Sequence, residues 1–218
     1  MKQYLLFFLL TIAVSARGQS THAYADQVAM LKLYDLQYKQ PAHPIIFAGS
    51  SSIRKWEHLQ MAFGSYNVMN RGIGGAVIAD ISFFVDELIT SYQPRQIVLY
   101  VGENDLPDST LSAEAIFRGV RNLFSQIREK LPDVPIVYIA MKPSPSRIKF
   151  IKKAISANLL IRNYLSNQKR VIFVDVFNLM LDKNKQPRPE LFIADQLHMN
   201  LAGYSIWEHA IKQYLILK

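Results

Sequence analysis

Three consecutive serines that follow a glycine are the first candidates for chemistry in this 218-residue chain. The apolar run 45–48 is typical of a buried parallel strand, Gly49 permits a sharp turn, and Ser50, Ser51 and Ser52 then open a helix. A hydroxyl at that junction lies beside the free N–H groups of a helix start, which favour developing negative charge. The pattern indicates a nucleophilic serine with oxyanion donors beside it. The alternative is a serine-rich helix cap without chemistry.

A nucleophilic serine needs a base to take its proton and usually a carboxylate to orient that base. Among five histidines, only His198 has a carboxylate three residues before it, and this residue is Asp195. Both follow the last predicted strand, so we expect them at the same sheet edge as the serines. His198 is therefore the candidate base and Asp195 its orienting acid. The alternative for His198 is an ordinary polar residue at a helix start.

Oxyanion stabilisation needs preorganised donors near the reacting carbonyl. The candidates are the Ser51 N–H, the Gly75 N–H and the side-chain amide of Asn104. Glycine suits a place where the backbone must approach a substrate closely, and an asparagine amide donates without carrying a charge. These residues follow the first, second and third predicted strands.

The composition and motifs argue against several other classes of protein. The glycine-rich segment 72–77 carries Val77 where a dinucleotide fingerprint needs glycine, and the chain has no P-loop. It has no cysteine and no clustered histidines, so we do not expect a metal site. The net charge of +8 includes no basic run with interleaved aromatics, so we do not expect nucleic-acid binding.

Five apolar segments alternate with helical patterns along the chain, which predicts a parallel sheet with helices on both faces. The expected fold is a flavodoxin-like three-layer α/β/α sandwich whose five-stranded parallel sheet has the order 2-1-3-4-5. An amphipathic helix over 23–40 is expected to pack on this domain. The predicted strands are 45–48, 66–70, 96–101, 135–141 and 171–176, and the helices between and after them are 53–59, 78–89, 112–130, 148–167 and 200–216.

The N-terminus has the features of a secretory signal peptide, because Lys2 precedes an apolar run from Tyr4 to Ser15 and small residues follow. We expect residues 1–18 to be cleaved, after Ala16 or Gly18, and 19–218 to form a single exported domain, periplasmic or extracellular. Removal leaves 23 basic and 17 acidic residues, a net charge of +6. The apolar run is too short to span a bilayer, so no stable membrane insertion is expected after cleavage.

Four segments in order resemble the SGNH hydrolases, also called GDSL-type esterases and lipases. The strand and turn Phe47–Ser51 match the family's G-D-S block, although Ser50 replaces the usual aspartate. The segment Asn70–Gly75 matches its second block, Gly102–Asp105 its G-x-N-D block, and Asp195–His198 its D-x-x-H block. The resemblance implies Ser51 as nucleophile, with Ser52 as the fallback, Asp195 and His198 as the rest of a triad, and Ser51, Gly75 and Asn104 as the oxyanion hole.

The resemblance also implies hydrolysis of short acyl or acetyl esters through an acyl-enzyme, without metal or organic cofactor. The partner would be a small-molecule or glycan ester. A carbohydrate O-acetyl esterase is the alternative within hydrolases, while a non-catalytic glycan-binding module and an acyltransferase are alternatives of other classes. Trp56, the loop 142–147 and the loop 177–199 are expected to shape the pocket.

Overall fold

The computed structural model describes residues 22–217, which build a parallel sheet of five strands. The sheet order is β2-β1-β3-β4-β5, so the predicted topology is confirmed. The predicted signal peptide, residues 1–18, lies outside the described residues. The strands are β1 (Ile45–Gly49), β2 (Val68–Gly72), β3 (Gln96–Tyr100), β4 (Ile136–Ile139) and β5 (Val171–Val174).

Helices cover both faces of the sheet and bury two separate apolar cores. Helices α4 to α7 pack on one face, together with a few residues of α1, while α2, α3 and α8 pack on the other. No helix within residues 22–217 is both long and apolar enough to cross a membrane. The helices are α1 (Ala25–Gln37), α2 (Ser51–Arg54), α3 (Leu59–Ala62), α4 (Ile78–Phe83), α5 (Val85–Leu88), α6 (Ala113–Lys130), α7 (Ile151–Leu165) and α8 (Leu201–Lys212).

The central strand β1 shows why an unbroken apolar run is required at this position. Ile46 and Ala48 point into one core, and Ile45 and Phe47 point into the other. All four are 0% exposed, because a strand with parallel neighbours and helices on both faces has no side in contact with water. The serines that follow are therefore carried on the most buried strand of the fold.

Several element boundaries differ from the sequence prediction. The helix predicted over 53–59 is instead two short helices, α2 and α3, separated by residues 55–58. Strand β2 begins two residues later than expected, because Gly64–Tyr66 forms a 3-10 turn and Asn67 has a positive φ of 47°. The helix predicted over 78–89 is divided at Phe84 into α4 and α5. Hydrogen bonds from Phe84 N–H to Asp80 and from Leu88 N–H to Phe84 still bridge the division.

Helix α1 packs on the domain as predicted, but through fewer apolar residues than its spacing suggested. Val28 is buried, and the partly buried Ala25 and Leu31 pack against the same core, whereas Leu36 is 84% exposed. Only part of the apolar spacing therefore corresponds to an apolar contact.

Polar contacts also attach the helix. The Asp35 carboxylate accepts hydrogen bonds from Arg71 and from the hydroxyl of Tyr92.

Candidate active site

The turn after β1 brings the three serines to the carboxyl edge of the sheet. Gly49 has a φ of +141°, and a Cβ added there would lie 1.8 Å from the Tyr100 carbonyl oxygen on the neighbouring strand. The Ser50 N–H donates to that same oxygen at 3.0 Å, and α2 begins at Ser51. Because only glycine permits the chain to pass this close to β3, the position of Gly49 determines where the serines leave the sheet.

Ser51, His198 and Asp195 form a continuous hydrogen-bonded chain. The Ser51 Oγ lies 2.9 Å from His198 Nε2, and His198 Nδ1 lies 2.6 Å from Asp195 Oδ2. A proton on Nδ1 shared with the carboxylate leaves Nε2 free to accept from the serine hydroxyl. The structure thus brings together the three residues that were predicted as nucleophile, base and acid, although they come from distant parts of the chain.

The loop before α8 holds the imidazole by backbone as well as side-chain contacts. The Leu197 and His198 N–H groups both donate to Asp195 Oδ1 at 2.9 Å, so one carboxylate oxygen shapes the loop and the other faces the ring. Burial alone favours the neutral acid, but hydrogen bonds from the His198 ring and from these amides outweigh it and hold the pKa of Asp195 well below its usual range. Asp195 is therefore a carboxylate at neutral pH, suited to stabilising an imidazolium.

Hydrogen bonds connect the turns that carry the predicted oxyanion donors. The Ile73 N–H donates to the Gly49 carbonyl at 2.8 Å, which joins the second turn to the first. Asn104 Nδ2 donates to the Ala76 carbonyl at 3.0 Å, and its second proton remains available. Gly75 has a φ of +81°, and within residues 22–217 neither its N–H nor that of Ser51 donates a hydrogen bond.

Helix α1 contacts the same glycine turn, which the sequence reasoning missed. Gln27 Oε1 accepts from the Gly74 N–H at 3.1 Å. The Tyr24 hydroxyl would lie 3.3 Å from a Cβ placed on Gly75. The polar side of α1 therefore supports the turn that presents the Gly75 N–H. A glutamine in an apparently amphipathic helix gave no signal of this contact.

A cleft of about 590 Å³ opens beside His198. Its walls combine charged side chains, contributed by α2 and the segment after it, with apolar side chains such as Ile193, Met199 and Leu201. The cleft can therefore contact both polar and apolar parts of a molecule. It is lined by Arg54, Lys55, Glu57, His58, Ile193, His198, Met199, Asn200, Leu201 and Tyr204.

Two residues expected to shape the pocket are buried instead. Trp56 is 1% exposed and packs against Phe47 and Trp207, so it belongs to the core beneath the cleft. The Lys142 side chain is 0% exposed and lies 2.5 Å from Glu103 Oε2. The loop 177–199 does reach the cleft, through its last residues.

The flanking serines have different partners from Ser51. Ser50 occupies the N-cap of α2, but its hydroxyl makes no capping hydrogen bond, contrary to the capping hypothesis. Ser52 is 1% exposed, and its hydroxyl accepts from Lys142 Nζ at 3.2 Å. Ser51 is thus the one serine of the three whose hydroxyl contacts the imidazole.

Within the described part of the chain, no group of three or more His, Cys, Asp or Glu side chains is arranged to hold a metal ion.

Comparison with known proteins relates this chain to hydrolases. The profile of the GDSL-like Lipase/Acylhydrolase family matches residues 17–206. No curated protein matches the chain.

Several solved structures share the fold at low sequence identity. A GDSL-like lipase from Bacteroides thetaiotaomicron is 20% identical, with a TM-score of 0.74 over 86% of this chain and 96% of its own. A Streptococcus pneumonia protein whose name refers to platelet activating factor is 21% identical, with a TM-score of 0.76 over 88% and 92%. A variant of an acetylxylan esterase from Geobacillus stearothermophilus is 14% identical, with a TM-score of 0.63 over 83% and 98%.

Proposed function

This chain belongs to the GDSL-like lipase/acylhydrolase family and is an ester hydrolase, and from that premise we propose that it cleaves short acyl esters through an acyl-enzyme on Ser51. The observation that carries the proposal is the hydrogen-bonded chain from Ser51 Oγ to His198 Nε2 and from Nδ1 to Asp195. A hydroxyl paired with an oriented base is the arrangement that makes serine nucleophilic.

The reaction has two halves that use the same groups. Ser51 Oγ attacks the ester carbonyl while its proton passes to His198 Nε2, and Asp195 stabilises the resulting imidazolium. Nε2 then returns the proton to the departing alcohol as the carbon–oxygen bond breaks. In the second half, water gives a proton to Nε2, attacks the acyl-enzyme and releases the carboxylic acid, and Nε2 returns that proton to Ser51.

Three donors surround the position where the oxyanion develops in this proposal. They are the N–H groups of Ser51 and Gly75, which donate no hydrogen bond within residues 22–217, and the second amide proton of Asn104. Removal of one such donor typically costs about 2.7–4 kcal/mol of transition-state stabilisation. Because fixed loops hold these donors, little reorganisation is required when charge develops.

A glycan ester is the substrate that we favour. Lys55 and Glu57 offer a donor and an acceptor in the cleft beside His198, which suits a sugar carrying an O-acetyl group. Acetylated oligosaccharides should then be cleaved with higher kcat/KM than p-nitrophenyl esters of long acyl chains. The signal-like N-terminus supports the further proposal that the protein is exported and meets such glycans outside the cytoplasm.

Replacement of the nucleophile tests the proposal directly. Ser51→Ala should abolish hydrolysis of p-nitrophenyl acetate and prevent labelling by a fluorophosphonate, in which the serine oxygen displaces fluoride. Ser65→Ala, at an exposed serine, is the control and should retain both. Turnover by Ser51→Ala close to that of the parent would overturn the assignment.

The rival classes give different results in the same assay. A binding module without catalysis leaves the parent protein unlabelled. An acyltransferase yields an acylated sugar when a sugar hydroxyl is added as acceptor, at the expense of free acetate. We expect labelling on one serine and free acetate as the main product.

A further inference from the structure

A buried network of polar side chains lies directly beneath the proposed nucleophile. Lys142 Nζ donates to Glu103 Oε2 at 2.5 Å and to Ser52 Oγ at 3.2 Å. The Tyr100 hydroxyl donates to Glu103 Oε2 at 2.8 Å, and the Ser144 hydroxyl donates to Glu103 Oε1 at 3.2 Å. Charged groups buried this deeply are rare unless they are paired, and here both are.

Both charged groups of the network have several hydrogen-bond partners. Both oxygens of the Glu103 carboxylate accept hydrogen bonds, and the Lys142 ammonium has the Tyr100 oxygen at 3.5 Å in addition to its two closer partners. The Lys142 and Glu103 side chains are 0% and 4% exposed. Burial lowers the pKa of Lys142 and the adjacent Glu103 carboxylate opposes that shift.

Stability alone is a weak explanation for such a pair. Taking two charges out of water costs free energy that their attraction often only offsets, and well-packed apolar residues of similar volume stabilise a protein at least as well. The surrounding residues include aliphatic and aromatic side chains that could have extended the core in this way. An explanation is therefore better sought in what the pair connects.

The pair connects the two turns on which the proposed chemistry depends. Ser52 is adjacent in sequence to Ser51, and Glu103 is adjacent to Asn104. Lys142 follows β4, so one side chain links the turns after β1, β3 and β4.

We propose that Lys142, acting with Glu103, is a positioning residue that fixes the distance between the Ser51 hydroxyl and the Asn104 oxyanion donor. This inference rests on the proposed function, because it assigns the network a role in that reaction. Lys142 itself touches neither substrate nor reacting atoms. It acts through Ser52 on the nucleophile and through Glu103 on the donor.

The test uses two variants of the full-length protein and one matched control. Ser52→Ala removes the link to the nucleophile turn and leaves the ion pair intact. The double variant Lys142→Met with Glu103→Gln removes both charges without leaving either one buried alone. Thr90→Val removes a different buried hydroxyl, which contacts only Asp86 and serves as the control.

We measure kcat and KM for p-nitrophenyl acetate per fluorophosphonate-labelled site, together with Tm. Both network variants should lose roughly 10- to 100-fold in kcat with KM changed less than threefold, since misplacement by about 1 Å can cost about 10²-fold. Thr90→Val should retain the parent kcat. A network that is only structural would lower Tm and leave kcat per labelled site unchanged.

The outcomes separate the two proposals. If the parent protein labels on Ser51 and Ser51→Ala is inactive, the proposed function stands, whatever the network variants do. A kcat within twofold of the parent for folded Ser52→Ala, or for the folded double variant, overturns the positioning role. If the double variant does not fold, Ser52→Ala alone decides.

Discussion

Asp105 should make the protein less stable as the pH rises, and the effect can be isolated by mutation. The carboxyl follows the Asn104 donor and is 6% exposed, and both of its oxygens accept from the Ile78 N–H at the start of α4, at 3.2 and 3.3 Å. Burial raises the pKa of Asp105 from 3.8 to about 7, and the charges of Asp80 and Asp108 add to the rise. The amide of Ile78 opposes it without reversing it.

The sign of the effect follows from the raised pKa. The folded protein holds the proton more tightly than the unfolded chain, so this contribution to stability is fully present below about pH 4. It declines as the pH rises and is lost once the pH passes about 7. Each pKa unit corresponds to about 1.4 kcal/mol, and two units separate pH 5 from the folded value. Linkage therefore predicts a loss of roughly 3 kcal/mol between pH 5 and pH 8.

Asp105→Asn keeps one oxygen for the Ile78 N–H and cannot ionise, so it removes this pH dependence. We expect the free energy of unfolding of the variant, minus that of the parent, to rise by roughly 3 kcal/mol between pH 5 and pH 8. Urea unfolding monitored by the fluorescence of the buried Trp56 and Trp207 measures it. The other titratable groups are the same in both proteins, so their contributions cancel when the two unfolding free energies are subtracted.

The exposed Glu190, which is not among the groups that shift the pKa of Asp105, supplies the control. A hydrogen bond from the Arg188 side chain lowers the pKa of Glu190, so it is ionised throughout this range. Glu190→Gln should therefore give a difference in unfolding free energy that does not vary between pH 5 and pH 8. A difference for Asp105→Asn that is equally flat, within about 0.5 kcal/mol, would refute the reasoning about burial.

Three further changes test the support around the site. Asp195→Asn should lower kcat by about 10²–10⁴-fold with little change in KM, because the amide no longer holds the His198 tautomer. Steady-state kinetics that show a smaller loss would contradict that role. Gln27→Ala frees the Gly74 N–H and should reduce kcat several-fold, whereas the exposed control Gln40→Ala should leave it unchanged. Ser112→Ala removes the cap that accepts from the Ala115 N–H and should cost about 1 kcal/mol in urea unfolding with kcat preserved; an unchanged midpoint would refute the cap.

The sheet and its order were predictable because their causes are local in the sequence. Each strand is a short apolar run bounded by a glycine, a proline or a polar turn, and parallel strands joined by helices permit few arrangements. The start of α6 was also predictable within one residue, since a serine precedes a long helical pattern, and Ser112 caps the helix that begins at Ala113. The packing of helix α1 was predicted only in part, because spacing reveals which residues share a face and not how much of that face is covered.

The buried Lys142–Glu103 pair was not predicted, although the sequence held a signal for it. Lys142 directly follows the apolar run 136–141, and Glu103 lies one residue after the glycine that ends the run 96–101. Strands β3 and β4 are parallel neighbours, so their carboxyl ends meet at one edge. Opposite charges at equivalent positions after adjacent parallel strands are therefore candidates for a buried pair. In a single sequence, however, the same residues also fit two solvated loops.

The turn of three serines shows why sequence alone left the reactive residue open. Ser50, Ser51 and Ser52 are the same residue type, so the sequence cannot distinguish them. An α-helix rotates by about 100° per residue, however, so consecutive side chains at its start face different surroundings. In the fold, the Ser51 hydroxyl faces the imidazole of His198, while the Ser52 hydroxyl faces the ammonium of Lys142. An ammonium donates and cannot take the serine proton, so Ser52 has a partner that fixes its position without activating it. Reactivity and positioning can therefore be divided between adjacent serines by the rotation of one short helix.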